Sequence, residues 1–332
     1  MTNLLVSILM PVWNSESSLE TAIKSILDQT YAHWELIAVD DGSTDDTNAL
    51  LHAASKRDSR IRVIHQPHEG IVAALRHAHS VAQGQFLARM DADDWTHPDR
   101  IAQQLNYMTF YPDIALCGTQ VESLPGTIGS GRERYQQWIN TLTTPESVAR
   151  EMFVECPVAH PTFFLRREPF EAVGGYEDIG WAEDYDVVLR LHAAGYALSN
   201  VAKPLLRWTN HSNRHSMNHP RYAPAAFRAA KRHYLQQCHL SAGDPFIQWG
   251  AGVVGKEWLK EWPQRPLTVV DINPRKIGRV IHGAPVIAPD ELPPPGGPFV
   301  VVAVGAPGAR DEIRSWLSLR GYMERRHYVF VA

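Results

Sequence analysis

Four short apolar runs, separated by segments of helical period, fill the first 95 residues, and this alternation constrains the fold more than anything else in the chain. Leu4 to Met10 is almost wholly apolar and is ended by Pro11, as suits a strand buried on both faces of a parallel sheet. The capping residues Asn14 to Ser18 precede Leu19, Ile23, Ile26 and Leu27 at helical spacing, which predicts a helix to about Gln29. Glu35 to Val39 reads as a second strand, closed by Asp40-Asp41-Gly42. A helix from about Asp45 to Ala54, a strand at Ile61 to Ile64, a helix over Ile71 to Val81 and a strand opening at Phe86 follow. The expected class is α/β, a mostly parallel sheet flanked by helices, in which ligands bind at the carboxyl ends of the strands. Asp40, Asp41, Asp91 and Asp93 all fall at such ends.

The run Gln85 to Trp95 ends in three carboxylates within four residues, Asp91, Asp93 and Asp94. Crowded carboxylates repel and raise one another's pKa unless a cation or hydrogen-bond donors compensate. A divalent metal is one compensator, and Mg2+ is commonly held by one or two carboxylates together with substrate phosphates. The alternative is that Asp94 caps a helix starting near Thr96 to Pro98 while the other acids face water. Asp40 and Asp41 are open to two readings as well, a turn closed by Gly42-Ser43-Thr44 or a carboxylate accepting from a nucleobase N–H or a ribose hydroxyl.

With 332 residues, 44% of them hydrophobic and 20% charged, the chain can bury two cores. A net charge of −4 offers no general attraction to nucleic acid or anionic lipid. Cys117, Cys156 and Cys238 are far apart and odd in number, which argues against disulfides or zinc and for a reducing cytoplasm. The amino terminus has no basic stretch ahead of its apolar run and reads as a strand, not a signal peptide. No apolar stretch of ~20 residues suggests a transmembrane helix, so any lipid-linked substrate would be met by peripheral contact at the inner face of the membrane.

Taken together, these segments resemble the family 2 glycosyltransferases of GT-A fold. Val6 to Asn14 is similar to the family's first strand and its Pro-Val-aromatic-Asn turn, and Val39 to Ser43 to its acidic nucleotide turn. Ala88 to Asp94 resembles its Asp-x-Asp motif, with Pro98-Asp99-Arg100 and Gln104 following as in one subgroup. The resemblance implies that Asp40 contacts the nucleotide base, Asp91 and Ala92 lie near the ribose, and Asp93 binds Mg2+ or Mn2+ bridging the diphosphate. Pro11, Val12, Trp13 and Glu16 would line the donor slot. Arg76 stands where the subgroup often has Asn, and its charge could reach phosphate or face water.

The acceptor half of the family is resembled by the strand-forming stretch His160-Pro161-Thr162 onward, by the turn Gly174-Gly175-Tyr176 and by Glu183-Asp184 at the start of a helix. Acids in a first helical turn are also favoured by the macrodipole alone. The resemblance implies that Asp184 is the catalytic base and that Glu183, His160 and Trp181 serve the acceptor. It also implies that His211, four residues after Arg207, helps hold the metal, with His215 as its competitor. The basic stretch from Arg214 to Arg232 reads as a solvated helix face.

The first domain is expected over residues 1–240, and a smaller one over 241–332. There Phe246 to Gln248 leads into Gly250-x-Gly252-x-x-Gly255, the spacing of a turn that lets backbone approach a pyrophosphate, and Asp271 ends the next strand at a distance suited to a ribose. This segment resembles small Rossmann-like modules and is a candidate second nucleotide site, or else a scaffold. For the whole chain, the resemblance implies an inverting, metal-dependent transferase. It would move a sugar from a nucleoside diphosphate donor, UDP-linked, to a glycan or glycolipid hydroxyl in cell-surface polysaccharide synthesis. The competing readings are a sugar-nucleotide pyrophosphorylase and a non-catalytic sugar-nucleotide-binding protein.

Overall fold

A computed structural model describes residues 4–123, 130–209, 219–241 and 243–332. The chain divides into two compact units, one of residues 1–149 and 157–222, the other of 150–156 and 223–332. The second unit thus takes up the chain at Ala223, ahead of the expected boundary near 240, and also claims a short segment from within the first.

In the first unit the chain runs β1 (Val6–Val12), α1 (Leu19–Leu27), β2 (Trp34–Asp41), α2 (Thr47–Arg57), β3 (Ile61–Gln66), α3 (Ile71–Val81), β4 (Phe86–Arg89) and β5 (Trp95–Thr96). It continues through α4 (Arg100–Phe110), β6 (Ile114–Ser123), α5 (Ser130–Ile139), α6 (Pro145–Arg150), β7 (Phe164–Arg166), α7 (Arg167–Ala172), α8 (Glu183–Ala193) and β8 (Ala197–Trp208). Among the described residues these strands form one sheet of order β3-β2-β1-β4-β7-β6-β8-β5. The expected parallel pairing holds from β3 to β4. Beyond β4 the sheet is mixed, because β7 runs antiparallel to both β4 and β6, and β5 antiparallel to β8. Alternation with helices made the parallel half legible; past β4 helices still separate the strands, but the antiparallel pairings come from β5 and β7, two and three residues long and too short to read from sequence.

Both faces of the parallel half are covered, which explains its near-continuous apolar runs. Ile8, Met10, Leu36 and Ala88 share a core with Leu19, Ile23 and Ile26 of α1 and Ile101 and Leu105 of α4. On the opposite face α3 packs against β1 and β2 through the buried Ala74, Leu75 and Ala78. One expected strand is corrected: His160–Thr162 is a 3-10 turn, and the strand starts only at Phe164. Pro161 fixes its own φ and has no N–H to give a ladder, so the extended backbone waits until the turn has closed.

The second unit carries α9 (Pro224–Cys238), β9 (Phe246–Trp249), α10 (Val253–Glu261), β10 (Thr268–Val270), β11 (Val280–Ile281), β12 (Ala284–Ile287), β13 (Phe299–Val302), α11 (Ala309–Leu319) and β14 (Tyr328–Phe330). Its smaller sheet has the order β11-β12-β10-β9-β13-β14 and is parallel from β12 to β14. The Lys231 ammonium on α9 donates to the Val154 carbonyl at 2.6 Å and the Val331 carbonyl at 3.2 Å, tying residues 150–156 and the last strand together. Burial pushes this ammonium down to about 8. Among the described residues no helix is long and apolar enough to cross a membrane.

Candidate active site

Two acidic strand ends and one acidic helix start are the candidate site of the first unit. At the end of β2, Asp40 is buried. Its Oδ1 accepts from the Ser43 amide at 3.0 Å, and its Oδ2 lies 3.2 Å from His65 Nδ1. Neighbouring Asp41 is committed to architecture: its carboxylate accepts from Gln66 at 2.7 Å and from the Glu69 and Gly70 amides at 2.9 and 2.8 Å, anchoring the entry to α3. The two acids, adjacent in sequence, therefore have different surroundings.

The β1 turn lies beside them. Val12 is buried and Pro11 partly so, whereas Trp13 is 47% exposed and stacks on His68 with ring centroids 4.7 Å apart. Asn14, at φ 47°, accepts the Thr44 amide through Oδ1 at 2.9 Å, and Glu16 accepts the Asp46 amide at 3.1 Å. Glu16 thus laces two loops together while its side chain stays exposed. Arg76 is exposed on α3.

Past β4, ligand atoms of Asp91, Asp93 and Asp94 lie within 4.8 Å of one another. Three hard oxygen donors in so small a volume fit Mg2+ or Mn2+. Asp94 is the buried member and accepts the Thr209 amide at 2.9 Å, joining the acidic loop to the end of β8. Asp91 and Asp93 are only partly buried. Ala92 is buried, and its carbonyl accepts from Ser18 Oγ at 3.0 Å, which fixes the loop to the start of α1. His211 and His215 lie outside the described residues.

Behind the acids sit two buried arginines. Arg89, the last residue of β4, pairs through its guanidinium with Asp91 Oδ1. Burial would lower its pKa, but Asp91, Tyr176 and Glu183 outweigh that and hold it above its ordinary value. Arg100 donates to the Arg89 carbonyl at 2.6 Å and the Pro161 carbonyl at 2.9 Å. Burial and the Arg89 charge push it down to about 10. Gln104 donates to the carbonyls of Cys117 and Thr162 at 3.1 and 2.8 Å. Arg100 and Gln104, noticed in the sequence as companions of the acidic motif, act here as ties that hold the His160 turn against β4 and β6.

His160 is buried, with Nε2 3.0 Å from the Tyr176 hydroxyl and Nδ1 3.6 Å from Glu183 Oε1. Burial, and then the Arg89 charge, drive its pKa well below the usual value, so it is neutral at pH 7. Glu183 and Asp184 open α8, where the macrodipole favours carboxylates. Glu183 is buried and accepts from the Tyr222 hydroxyl at 2.9 and 2.8 Å, with Arg221 at 3.6 Å. Asp184 is only partly buried. Trp181 donates its indole N–H to Asp186 at 2.9 Å. Arg89, Tyr176, Arg221 and Tyr222 were not assigned to the site from sequence. A charged residue closing an otherwise apolar strand marked Arg89, whereas nothing local marks Tyr222.

In the second unit Gly250 adopts φ 114°, and a Cβ there would come within 2.6 Å of the Ala303 carbonyl oxygen. A Cβ on Gly255 would lie 2.1 Å from the Gly250 carbonyl oxygen, so the glycine spacing is needed for the turn and helix to pack. Asp271 is engaged by its own chain: it accepts the Ala251 and Asn273 amides at 3.0 and 2.8 Å and Lys276 Nζ at 2.9 Å. Gly255→Ala is expected to destabilise this unit by about 1–3 kcal/mol, through overpacking against backbone that cannot rotate away. Urea unfolding followed at the unit's tryptophans measures it, and an unchanged midpoint would contradict the packing account.

An acidic cluster at the strand ends of an α/β sheet suits a metal- and phosphate-dependent enzyme, and comparison with known proteins gives the family. Residues 7–174 match the family described as Glycosyl transferase family 2. A protein named an uncharacterized glycosyltransferase in Haemophilus influenzae is 30% identical over 219 residues, covering 64% of this chain and 67% of that one. Among solved structures, Staphylococcus aureus TarS 1-349 in complex with UDP-GlcNAc superposes with a TM-score of 0.57 at 16% identity, over 70% of this chain and 66% of that one. The mannosyltransferase PcManGT from Pyrobaculum calidifontis, in complex with GDP-Man and Mn2+, gives 0.51 at 18% identity, over 70% and 62%. The chain belongs to glycosyltransferase family 2 and is a glycosyltransferase of GT-A-like fold. This sets aside the pyrophosphorylase and the non-catalytic readings.

Proposed function

We propose that the chain is an inverting, metal-dependent transferase that moves a sugar from a nucleoside diphosphate donor, UDP-linked, to a hydroxyl of a glycan or glycolipid in cell-surface polysaccharide synthesis. The observation that carries this reading is the buried Arg89, whose guanidinium pairs with Asp91 at the acidic strand end and whose charge is also favoured by Glu183 at the acidic helix start. Donor and acceptor chemistry would thus meet in one crevice at the carboxyl ends of β1, β2 and β4.

Asp40 accepts from the base and the Trp13 turn stacks against it, while Asp91 orients the ribose. Asp93, with His211, would hold Mg2+ or Mn2+, which when bound neutralises the diphosphate leaving group. Asp184 takes the proton of the acceptor hydroxyl as its oxygen bonds to the anomeric carbon and the carbon–phosphate oxygen bond breaks on the opposite face. That geometry inverts the anomeric configuration. His160, neutral and fixed on Tyr176, and Trp181, tethered to Asp186, bound the acceptor side.

For the second unit we infer a Rossmann-like module. The reversal of strand order at β9 supports this, and so does the glycine turn at the start of α10. A nucleotide at Gly250, Gly252 and Gly255 would displace Lys276 from Asp271 before Asp271 could reach a ribose.

A thermal-shift screen tests both sites. The cognate nucleoside diphosphate with Mn2+ is expected to stabilise the chain by ~2–3 kcal/mol at about a hundred times its Kd, and EDTA should abolish the shift. Stabilisation by no nucleoside diphosphate would sink the donor assignment, and NAD or NADP in the same plates decides the second site.

A further inference from the structure

Glu183 is an acid with almost no access to water, and a carboxylate taken out of water persists only where donors replace its hydration. Three side chains from elsewhere in the first unit surround it. His160 Nδ1 lies at 3.6 Å and Arg221 NH1 at 3.6 Å, while the Tyr222 hydroxyl is 2.9 Å from Oε1 and 2.8 Å from Oε2. Tyr222 makes the short contacts. Arg221 is itself held by Asp178, to which NH2 donates at 2.9 Å. Both residues sit on the 3-10 turn Pro220–Tyr222, far in sequence from α8.

We infer that Tyr222, backed by Arg221, is a positioning residue for sugar transfer, clasping the Glu183 carboxylate and thereby fixing the first turn of α8 from which Asp184 works. This rests on the reading of Asp184 as the base. Burial first, and then the charges of Glu183 and Asp184, push the phenol's pKa upward, so near neutral pH it keeps its proton and serves as a donor. His160 is neutral and Arg221 is more distant, so removing the phenolic oxygen takes away the closest donor to the acid. The first turn of α8 would then be free to shift, and an ångström of displacement at a reacting group is enough to cost rate.

The test compares Tyr222→Phe with the wild-type chain, using whichever donor of a panel of UDP- and GDP-sugars the wild type turns over. Nucleoside diphosphate release is followed with water and with simple alkyl glycosides as acceptors. The expected result is a fall in kcat of about ten- to a hundredfold, the worth of a hydrogen bond to a charged group, with the donor KM and Mn2+-dependent nucleotide binding unchanged. An unchanged kcat overturns the inference, and so does a loss of nucleotide affinity in step with kcat, which would mark general loosening. A stability cycle of Tyr222→Phe, Glu183→Gln and the double variant runs alongside. Coupling between the two positions is expected, and its absence overturns the clasp. A wild type that turns over no donor would count against the proposed function, and the cycle would still decide the clasp.

Discussion

Asp184→Asn is expected to lower sugar transfer by about 10²- to 10⁴-fold, the range general-base catalysis contributes, while Mn2+-dependent binding of the nucleoside diphosphate stays at the wild-type level. The separation follows from where the residue sits. Asp184 is the second residue of α8 and only partly buried, on an element separate from the β4 end that carries Asp91 and Asp93. Asparagine is nearly isosteric and can still accept the Tyr185 amide, which Asp184 Oδ1 takes at 2.7 Å. It forfeits a macrodipole contribution of about 0.3–1 kcal/mol, too little to unfold a domain. What it loses is the ability to take a proton. Steady-state kinetics with a saturating acceptor, paired with nucleotide titration, make the measurement; transfer at the wild-type rate would show that the base lies elsewhere.

The second large effect is on stability. Arg89→Met is expected to destabilise the first unit by about 3–5 kcal/mol, because it removes the buried cation that pairs with Asp91 and takes a favourable charge away from Glu183. The methionine fills similar volume, so the loss is electrostatic. Arg89 is almost fully buried, pairs with Asp91 and is attracted by Glu183, which has no access to water to replace it. In the double variant with Glu183→Gln the two losses are expected to combine to less than their sum, since both act on one group of interacting charges. Chemical denaturation of the single and double variants measures both, and a shift below about 1 kcal/mol for Arg89→Met would contradict the role assigned here.

How much of this was legible beforehand differs from element to element. α3 over Ile71–Val81 lies where the sequence predicts it, and the parallel half of the first sheet follows from strands alternating with helices. The His160 turn was misread as strand, because strand-forming composition does not register that Pro161 breaks the ladder. Residue type and spacing leave both Asp40 and Asp41 open to a turn or a ligand role, and only the structure shows Asp41 anchoring the α3 entry through three donors that come from β3 and the turn after it. The sequence offers Asp94 a local role as a helix cap, whereas in the structure it accepts the Thr209 amide and ties the acidic loop to the end of β8.

By itself the sequence determined the class of fold, the acidic strand ends and the acidic start of α8, since these depend on residue type and spacing within one or two elements. Tertiary structure alone decided which carboxylates are structural, and that His160, Arg221 and Tyr222 converge on Glu183 while Arg89 pairs with Asp91. The contacts to Glu183 join residues far apart in sequence, 39 positions in the case of Tyr222. Local propensity carries no record of such pairs, and their energy comes from burial and charge compensation that exist only once the chain has closed on itself.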